Sequence, residues 1–417
     1  IIDTDKNPVD EVLISIFRAP KTYTREDIVE INCHGGTFIT RKILSMVLSA
    51  GADLAKPGEF TQRAFYHGRI DLSQAEAVQD MIEASNNTAA SMAIHGIKGS
   101  VKKLLQPLID DLMDIIAQIE VNIDYPEYED VEQLTTNDLL PKTNEWLTKI
   151  DRILARVQTG QMLKKGIDTI IVGKPNAGKS SLLNLLVGEN KAIVTDIEGT
   201  TRDILEEYIT LHGITLKIVD TAGIRETEDV VEKIGVDKAR EYASRADLII
   251  AVIDASTPLD ENDLEILGMT CDKPSVILLN KSDLEMVVTE KNVENAISEL
   301  NPARIKNVST SKTPVIEISA KKFLGIDEFE DIIKNLFFAG NLSFNDEIYI
   351  TNLRQKTALE DAYHSLLKVK ESIENGMPED FYSIDLMAAY ESLGSITGET
   401  AGEDLVNEIF SKFCMGK

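Results

Sequence analysis

Residues 167–188 read IDTIIVGKPNAGKSSLLNLLVG. The first seven residues form a β-branched apolar run that predicts a buried strand, and the apolar spacing after Lys179 predicts a helix. Between them, Gly173 to Ser180 match the pattern G-x-x-x-x-G-K-[ST], in which backbone N–H groups at a helix N-terminus surround a phosphate. The stretch therefore predicts a nucleotide-binding P-loop, with Lys179 reaching the β- and γ-phosphates and the Ser180 hydroxyl binding Mg²⁺.

The apolar runs that follow indicate a sheet covered by helices. LKIVD (216–220), LIIAVIDAS (248–256), PSVILLN (274–280) and PVIEIS (314–319) are rich in β-branched residues, and helical spacing separates them. Strands of this kind belong to a parallel sheet whose two faces are both buried. Before and after this region the apolar spacing is helical, so we predict a helical domain in two parts.

The predicted fold class is α/β plus all-α, with three domains. A Ras-like P-loop domain (166–338) is inserted into a discontinuous helical domain (71–165 and 339–417), and a small α/β domain (1–70) precedes both. Insertion is physically reasonable because the two ends of a domain often lie close together. The length of 417 residues agrees with two or three domains.

The composition excludes some classes of function. The formal net charge of −27 would repel free nucleic acid, so RNA contact requires a local basic patch or a basic partner. Three scattered cysteines (Cys33, Cys271 and Cys414) cannot form a disulfide framework and indicate the reducing cytoplasm. No apolar run approaches the roughly 20 residues that span a bilayer, so we expect no membrane contact. The sequence starts at Ile1 and gives no basis to judge a signal peptide.

Two short motifs indicate which base is bound. In NKSD (280–283), the Asp283 carboxylate can accept hydrogen bonds from N1–H and the exocyclic amine of guanine, a donor pair that adenine lacks. In SAK (319–321), the backbone N–H of Ala320 can donate to guanine O6. We therefore predict GTP. The predicted GTP-binding residues are Asn176, Ala177, Gly178, Lys179, Ser180, Ser181, Thr195, Asp196, Ile197, Glu198, Gly199, Thr200, Thr201, Asp220, Thr221, Ala222, Gly223, Asn280, Lys281, Asp283, Ser319, Ala320 and Lys321.

The segments between these motifs raise a question about the attacking water. In IVTDIEGTTRD (193–203), Thr201 is expected to be the second Mg²⁺ ligand once the γ-phosphate orders the loop, although a Thr-Thr pair can also simply cap a turn. In DTAGIRE (220–226), Ile224 follows the Asp-x-x-Gly pattern. Ras-like enzymes have a glutamine there that orients the water, and an isoleucine cannot do so. Another residue must supply that role.

The combined motifs resemble one family closely. PNAGKSSLLN, VTDIEGTTRD, DTAGIRE and the terminal FCMGK are similar to the MnmE (TrmE) family of tRNA-modification GTPases. EDIVEINCHGG, KPGEFTQRAF and DLSQAEA near the start extend the resemblance to nearly the entire chain. The resemblance implies that Glu232 orients the water, although Glu232 could also be a solvated helix residue. It also implies dimerisation of two G-domains and a K⁺ ion held by Asn176, Thr195, Ile197 and Thr200.

The resemblance also implies a second chemistry. The family modifies wobble uridines of tRNA at C5 with an FAD-containing partner of the MnmG (GidA) family, in a hetero-oligomer. Its N-terminal domain binds a tetrahydrofolate derivative, here through Glu30, Arg69 and Lys417, and Cys414 is functionally required. Arg69 and Arg25 depart from the lysine and the glycine that are usual in the family. The glycine-rich first strand and a folate-binding arginine are missing, so the domain is expected to be truncated.

Two other functions remain open at this point. A ribosome-assembly GTPase shares the apolar residue after Asp-x-x-Gly, but the G-x-x-G stretch GIKG (96–99) lies in a helical pattern, and the charge disfavours an RNA clamp. A GTP-dependent assembly switch without a direct role in the chemistry is the second. His34 in CHGG could be a base, and we favour a turn histidine.

Overall fold

The computed structural model of the chain describes residues 1–84, 86–124, 136–189, 207–211, 214–218, 241–271, 273–300, 313–338 and 350–413. The chain divides into two compact units. One contains Ile1–Glu83, Met92–Ala155 and Ile348–Lys417, and the other contains Ala84–Ser91 and Arg156–Glu347. The second unit interrupts the first in sequence, which confirms the predicted insertion. The predicted boundaries at residues 70, 165 and 338 stay a prediction.

The N-terminal part of the first unit is a small α/β structure. Strands β1 (Leu13–Phe17) and β2 (Ile28–Asn32) are antiparallel, and helices α1 (Thr37–Ser49), α2 (Glu59–Tyr66) and α3 (Leu72–Glu83) follow. In the turn before β2, Arg25 has a φ of 60°, in the left-handed region that favours glycine. This backbone conformation accounts for the glycine that the family resemblance led us to expect there.

Three helices then precede the sheet of the second unit in the described part of the chain. They are α4 (Asn87–Ile97), α5 (Ser100–Asp124) and α6 (Thr136–Lys165). Pro107 lies inside α5 and does not end it. Although a proline removes one backbone hydrogen bond, the helix compensates by burying an apolar stripe at helical spacing. The stripe consists of Leu105, Leu108, Ile109, Leu112, Ile115, Ile116 and Ile119.

The second unit is built on a six-stranded sheet within the described residues. Its elements are β3 (Ile167–Gly173), α7 (Lys179–Glu189), β4 (Glu207–Leu211), β5 (Ile214–Ile218), β6 (Leu248–Asp254), α8 (Glu261–Met269), β7 (Ser275–Asn280), α9 (Glu290–Leu300), β8 (Val315–Glu317) and α10 (Ile326–Phe338). The strand order is β4-β5-β3-β6-β7-β8. Fully buried runs in β6 and β7 agree with the prediction of a sheet covered on both faces.

The sheet is mixed rather than wholly parallel. β3, β5, β6, β7 and β8 are parallel, as predicted, but the edge strand β4 pairs with β5 antiparallel. The physical reason is the connection, because only residues 212–213 separate the two strands and a parallel pair needs a crossover of a dozen or more residues.

Three helices complete the first unit after the sheet. α11 (Leu353–Glu374) and α12 (Glu379–Thr397) are long, and the short α13 (Glu403–Ser411) ends near the chain terminus. An apolar cluster joins α13 to α3, with Leu72 and Ala75 packed against Val406 and Phe410. Among the described residues, no helix is long and apolar enough to cross a membrane.

Candidate nucleotide-binding site

The P-loop follows β3, which is one of the two central strands of the sheet. Gly173 at the end of β3 is level with Val252 of β6, and the loop then leads directly into α7. The Lys179 ammonium donates hydrogen bonds to the carbonyl oxygens of Gly173 and Lys174, both at 2.7 Å. Burial lowers the pKa of Lys179. A bound phosphate would favour the charged ammonium again, so this side chain is suited to an anion.

Asn280, at the end of β7, connects two loops. Its side chain is buried, and its Nδ2 donates to the carbonyl of Ala177 in the P-loop at 2.8 Å. Its Oδ1 accepts from the backbone N–H of Ala320 at 3.1 Å. The amide therefore fixes the P-loop and the SAK loop relative to the end of β7.

Asn280 also explains the second glycine of the P-loop. Gly178 has a φ of 101°, and a Cβ atom at this position would lie 2.0 Å from Asn280 Nδ2. Such a distance is a severe overlap, so any side chain would displace the P-loop or the Asn280 amide. The pattern G-x-x-x-x-G-K is therefore tied to a residue about a hundred positions further along the chain.

Asp283 is oriented by the SAK loop. The Ser319 hydroxyl donates to Asp283 Oδ1 at 2.7 Å, and this hydrogen bond is the largest cause of a lowered pKa for Asp283. The backbone N–H of Ser282 donates to the carbonyl of Ile318, which keeps the two loops together. The arrangement presents an ionised carboxylate that can accept hydrogen bonds from a base carrying adjacent N–H donors.

Two family models match the chain. The model of the MnmE helical domain matches residues 72–414, and the model described as "GTP-binding protein TrmE N-terminus" matches residues 1–69. The chain belongs to the MnmE (TrmE) family. The tRNA modification GTPase MnmE of Lachnoclostridium phytofermentans is 50% identical over 417 residues, which cover 100% of this chain and 88% of that protein.

Further relatives agree with this assignment. The tRNA modification GTPase MnmE of Bacillus cytotoxicus is 47% identical over 100% of this chain and 88% of its own length. Among solved structures, the G domain of the FeoB iron transporter of T. maritima matches 41% of this chain and 98% of its own, with 25% identity and a TM-score of 0.26. That score is too low to support an argument about this fold.

A lysine of the P-loop also forms ion pairs that the motif alone did not predict. Lys174 donates to Asp260 and Asp263 at 2.8 and 2.6 Å, and Asp260 is the N-cap of α8. Burial lowers the pKa of Lys174, but hydrogen bonds to the two carboxylates outweigh it and leave that pKa raised. Since Asp260 and Asp263 form a capping box, the spacing D-x-x-D before an apolar stretch was the available signal.

The remaining P-loop and base-loop residues of the prediction lie near these groups in sequence. Ser180 and Ser181 lie in the first turn of α7, and both are exposed. Asn176 is exposed and has a φ of 62°, which asparagine tolerates better than most residues. Lys321 is exposed in the turn after Ala320.

Several predicted site residues lie outside the described part of the chain. They are Thr195, Asp196, Ile197, Glu198, Gly199, Thr200, Thr201, Asp220, Thr221, Ala222, Gly223, Glu232, Cys414 and Lys417.

Glu30 and Arg69, two of the three predicted folate residues, lie in the first unit. Glu30 is exposed on β2, opposite Ser15 of β1, and Arg69 is exposed in the turn between α2 and α3. Asn407 of α13 and Phe413, just after it, also lie close to α2. A Cβ atom at Gly58, the residue before α2, would lie 2.8 Å from Phe413 Cβ, and Gln62 Nε2 donates to Asn407 Oδ1 at 2.9 Å.

The loop histidine of the first unit has a partner. His34 Nδ1 lies 2.7 Å from Asp10 Oδ1, and the backbone N–H of His34 donates to Asp10 Oδ2 at 2.9 Å. These bonds join the residues before α1 to Asp10, and the interpretation of His34 as a turn histidine stays a prediction.

Proposed function

We propose that this chain is a cytoplasmic GTPase that takes part in tRNA modification. The single observation that carries the GTPase proposal is the Asn280 amide, which joins the P-loop and the SAK loop while Asp283 lies beside Ser319. These are the groups that hold phosphates and read guanine. The role in tRNA modification rests on membership of the MnmE family, whose relatives carry that function in their names.

GTP and Mg²⁺ fit the residues that are present. Because Gly178 has no side chain, the P-loop backbone can lie close to Asn280, and the half-buried Lys179 ammonium has carbonyl partners rather than a carboxylate. We propose that Ser180 and Thr201 bind Mg²⁺. The metal would neutralise charge on the phosphates, while the P-loop backbone and Lys179 orient them.

Replacing Asp283 by asparagine tests the base assignment. Asparagine cannot accept both guanine hydrogen bonds, so we expect the Kd of GDP to rise about 100-fold, or about 2.7 kcal/mol. Xanthine has a carbonyl in place of the exocyclic amine of guanine, and the amide of the new asparagine side chain can donate to it. XDP should therefore bind the variant better than it binds the wild type. Competition against a fluorescent GDP measures both, and an unchanged Kd of GDP would reject Asp283 as the base-reading residue.

We propose that Glu232 orients the attacking water, because Ile224 cannot. Replacing Glu232 by alanine should leave the Kd of GTP nearly unchanged and lower kcat about 100-fold or more, since a water-orienting acid acts mainly in the transition state. Single-turnover hydrolysis under saturating GTP measures this. The matched control is Glu228→Ala in the same acidic stretch, and equal kcat values for the two variants would remove Glu232 from the mechanism.

We propose that hydrolysis depends on K⁺, held by Asn176, Thr195, Ile197 and Thr200. A fixed cation there would stabilise the charge that develops between the β- and γ-phosphates. We expect hydrolysis in K⁺ to exceed that in Na⁺ by about tenfold or more at equal ionic strength. Asn176→Gly should remove the difference while keeping the backbone φ of 62° free of strain. Equal wild-type rates in the two salts would exclude this ion.

We propose three further partners on the basis of family membership. A second copy of the chain would pair its G-domain with this one. An FAD-containing protein of the MnmG (GidA) family would supply the redox chemistry in a hetero-oligomer and contact tRNA within the complex. A tetrahydrofolate derivative would bind near Glu30, Arg69 and Lys417. The packing of Phe413 against Gly58 supports the last assignment, because Phe413 lies only a few residues before Lys417 in the sequence.

The experiment for the cellular role is mass spectrometry of tRNA nucleosides. A strain lacking this chain should lose aminomethyl-type groups at C5 of wobble uridines, and the wild-type gene should restore them. Glu232→Ala should fail to restore them. Restoration by Glu232→Ala, despite lost hydrolysis, would favour the assembly switch. Unaltered wobble uridines with co-sedimentation on ribosomes would favour the ribosome-assembly function.

A further inference from the structure

Asp254 lies at the carboxyl end of β6, directly beside Asn280 of β7. Its side chain is 13% exposed, and its Oδ2 accepts a hydrogen bond from the Lys281 ammonium at 2.5 Å. Its Oδ1 accepts from the backbone N–H and the hydroxyl of Ser256, at 3.0 and 2.6 Å. Both carboxylate oxygens therefore have donors, and one of the donors is a residue of the base-reading loop.

The charge of Asp254 is maintained by these bonds. Burial is the largest single influence on the pKa of Asp254 and raises it, but the hydrogen bonds from Lys281 and Ser256 together outweigh burial and lower the pKa. The carboxylate is therefore ionised at neutral pH and forms an ion pair with the ammonium.

The backbone at the other end of the Lys281 side chain is also fixed. Lys281 has a φ of 67°, and its carbonyl accepts from the backbone N–H of Leu284 at 2.9 Å. Further along the same loop, the backbone N–H of Val287 donates to the carbonyl of Ala255, the residue after Asp254, at 2.7 Å. The four-carbon stem of Lys281 is thus held between an ordered backbone and an ordered carboxylate.

In the NKSD stretch, Lys281 lies between the residue that binds the P-loop and the carboxylate that is predicted to bind the base. Asn280 binds the P-loop, and Asp283 is two residues beyond Lys281. An apolar stem that is already ordered can pack against the flat face of a purine without losing rotamer freedom on binding. A free lysine in the same place would lose that freedom and bind the base less well.

We propose that Asp254 is a positioning residue for guanine-nucleotide affinity, which acts by holding the ammonium of Lys281. The inference rests on the proposed function, because it requires a guanine nucleotide in this site. Asp254 acts through Lys281 and needs no contact of its own with the base or the phosphates. Its contribution is to affinity and not to the hydrolysis step.

The test is Asp254→Asn in the full chain. Asparagine keeps the size of the side chain and can still accept from Ser256, but it removes the charge that holds Lys281. We expect the Kd of GDP and the KM of GTP to rise about tenfold, with kcat at saturating GTP unchanged. The matched control is Asp168→Asn, which breaks the pair with Lys217 near the start of β3 and should leave the Kd of GDP unchanged.

A double-variant cycle separates positioning from general destabilisation. Lys281→Met keeps an apolar stem without the ammonium, so Asp254→Asn should cause no further loss of affinity in that background. An undiminished tenfold loss there would overturn the proposal, as would an unchanged Kd in the single variant. If the wild-type chain itself fails to bind GDP, the proposed function fails. If it binds GDP and Asp254→Asn binds equally well, only this inference fails.

Discussion

Replacing Gly178 by alanine is expected to weaken GDP binding about a thousandfold or more. The new Cβ would overlap Asn280 Nδ2, at a distance of 2.0 Å, so the amide must leave its place. An unsatisfied buried amide costs about 1–3 kcal/mol. A non-glycine residue held at a φ of 101° adds strain of about 1–3 kcal/mol. Together these are of the order of 4 kcal/mol, which corresponds to about a thousandfold.

The measurement is a titration with a fluorescent GDP, beside a control substitution in the same unit. Gly268 lies inside α8, and a Cβ there would have no atom within 4 Å. Gly268→Ala should therefore leave the Kd of GDP unchanged and can add up to about 1 kcal/mol to helix stability. A GDP affinity of Gly178→Ala within threefold of the wild type would show that the hydrogen bond between Asn280 and the P-loop has no part in nucleotide binding.

Replacing Glu76 by alanine should destabilise the first unit by about 3–5 kcal/mol, because it leaves a half-buried cation without its partner. Glu76 is buried in α3, and its two carboxylate oxygens accept from Arg354 Nε and Nη2 at 2.8 and 2.9 Å. Gln355 Nε2 donates to the same carboxylate at 2.6 Å. Arg354 also donates to the carbonyls of Ser395 and Ile396 on α12. The cluster therefore connects three helices.

Trp146 makes this effect measurable in the intact chain. It is the only tryptophan of the sequence, it is 1% exposed, and it lies in the first unit. Urea unfolding followed by tryptophan fluorescence therefore reports on this unit, although a chain of two units need not unfold in one step. The control is Glu399→Ala, which breaks an exposed pair with Lys102 and should cost less than about 1 kcal/mol. Equal losses for the two variants would contradict the assigned role of the buried cluster.

The parts of the fold that depend on local pattern were predicted from the sequence. The β-branched runs became buried strands, and the P-loop lies between β3 and α7 because its residues encode a strand, a turn and a helix in succession. The antiparallel edge strand β4 was not predicted. Its short hairpin connection is visible in the sequence only when both strands are recognised. β4 buries the alternate residues Ile209 and Leu211 and lacks the continuous apolar run that marks the central strands.

The contacts between distant residues could not be predicted in the same way. Asp254 and Lys281 meet because β6 and β7 are neighbours in a particular register, which places Asp254 beside Asn280. Glu76 and Arg354 are separated by 278 residues, and nothing in either local sequence marks them as partners. The family motifs predict which residues belong to the nucleotide site. The partners of the Asp254 and Glu76 carboxylates are determined by strand register and by helix packing, respectively. Register and packing depend on the whole chain and not on any local stretch.

The most direct test of the central claim is a calorimetric titration of the wild-type chain with GDP and with ADP in the presence of Mg²⁺. The Asp283 carboxylate beside Ser319 predicts that GDP binds at micromolar concentration or tighter, at about −8 kcal/mol or better. ADP lacks the paired N–H donors and should bind at least about 100-fold more weakly. Equal affinities for GDP and ADP would contradict the assignment of this edge of the sheet as a guanine-nucleotide site.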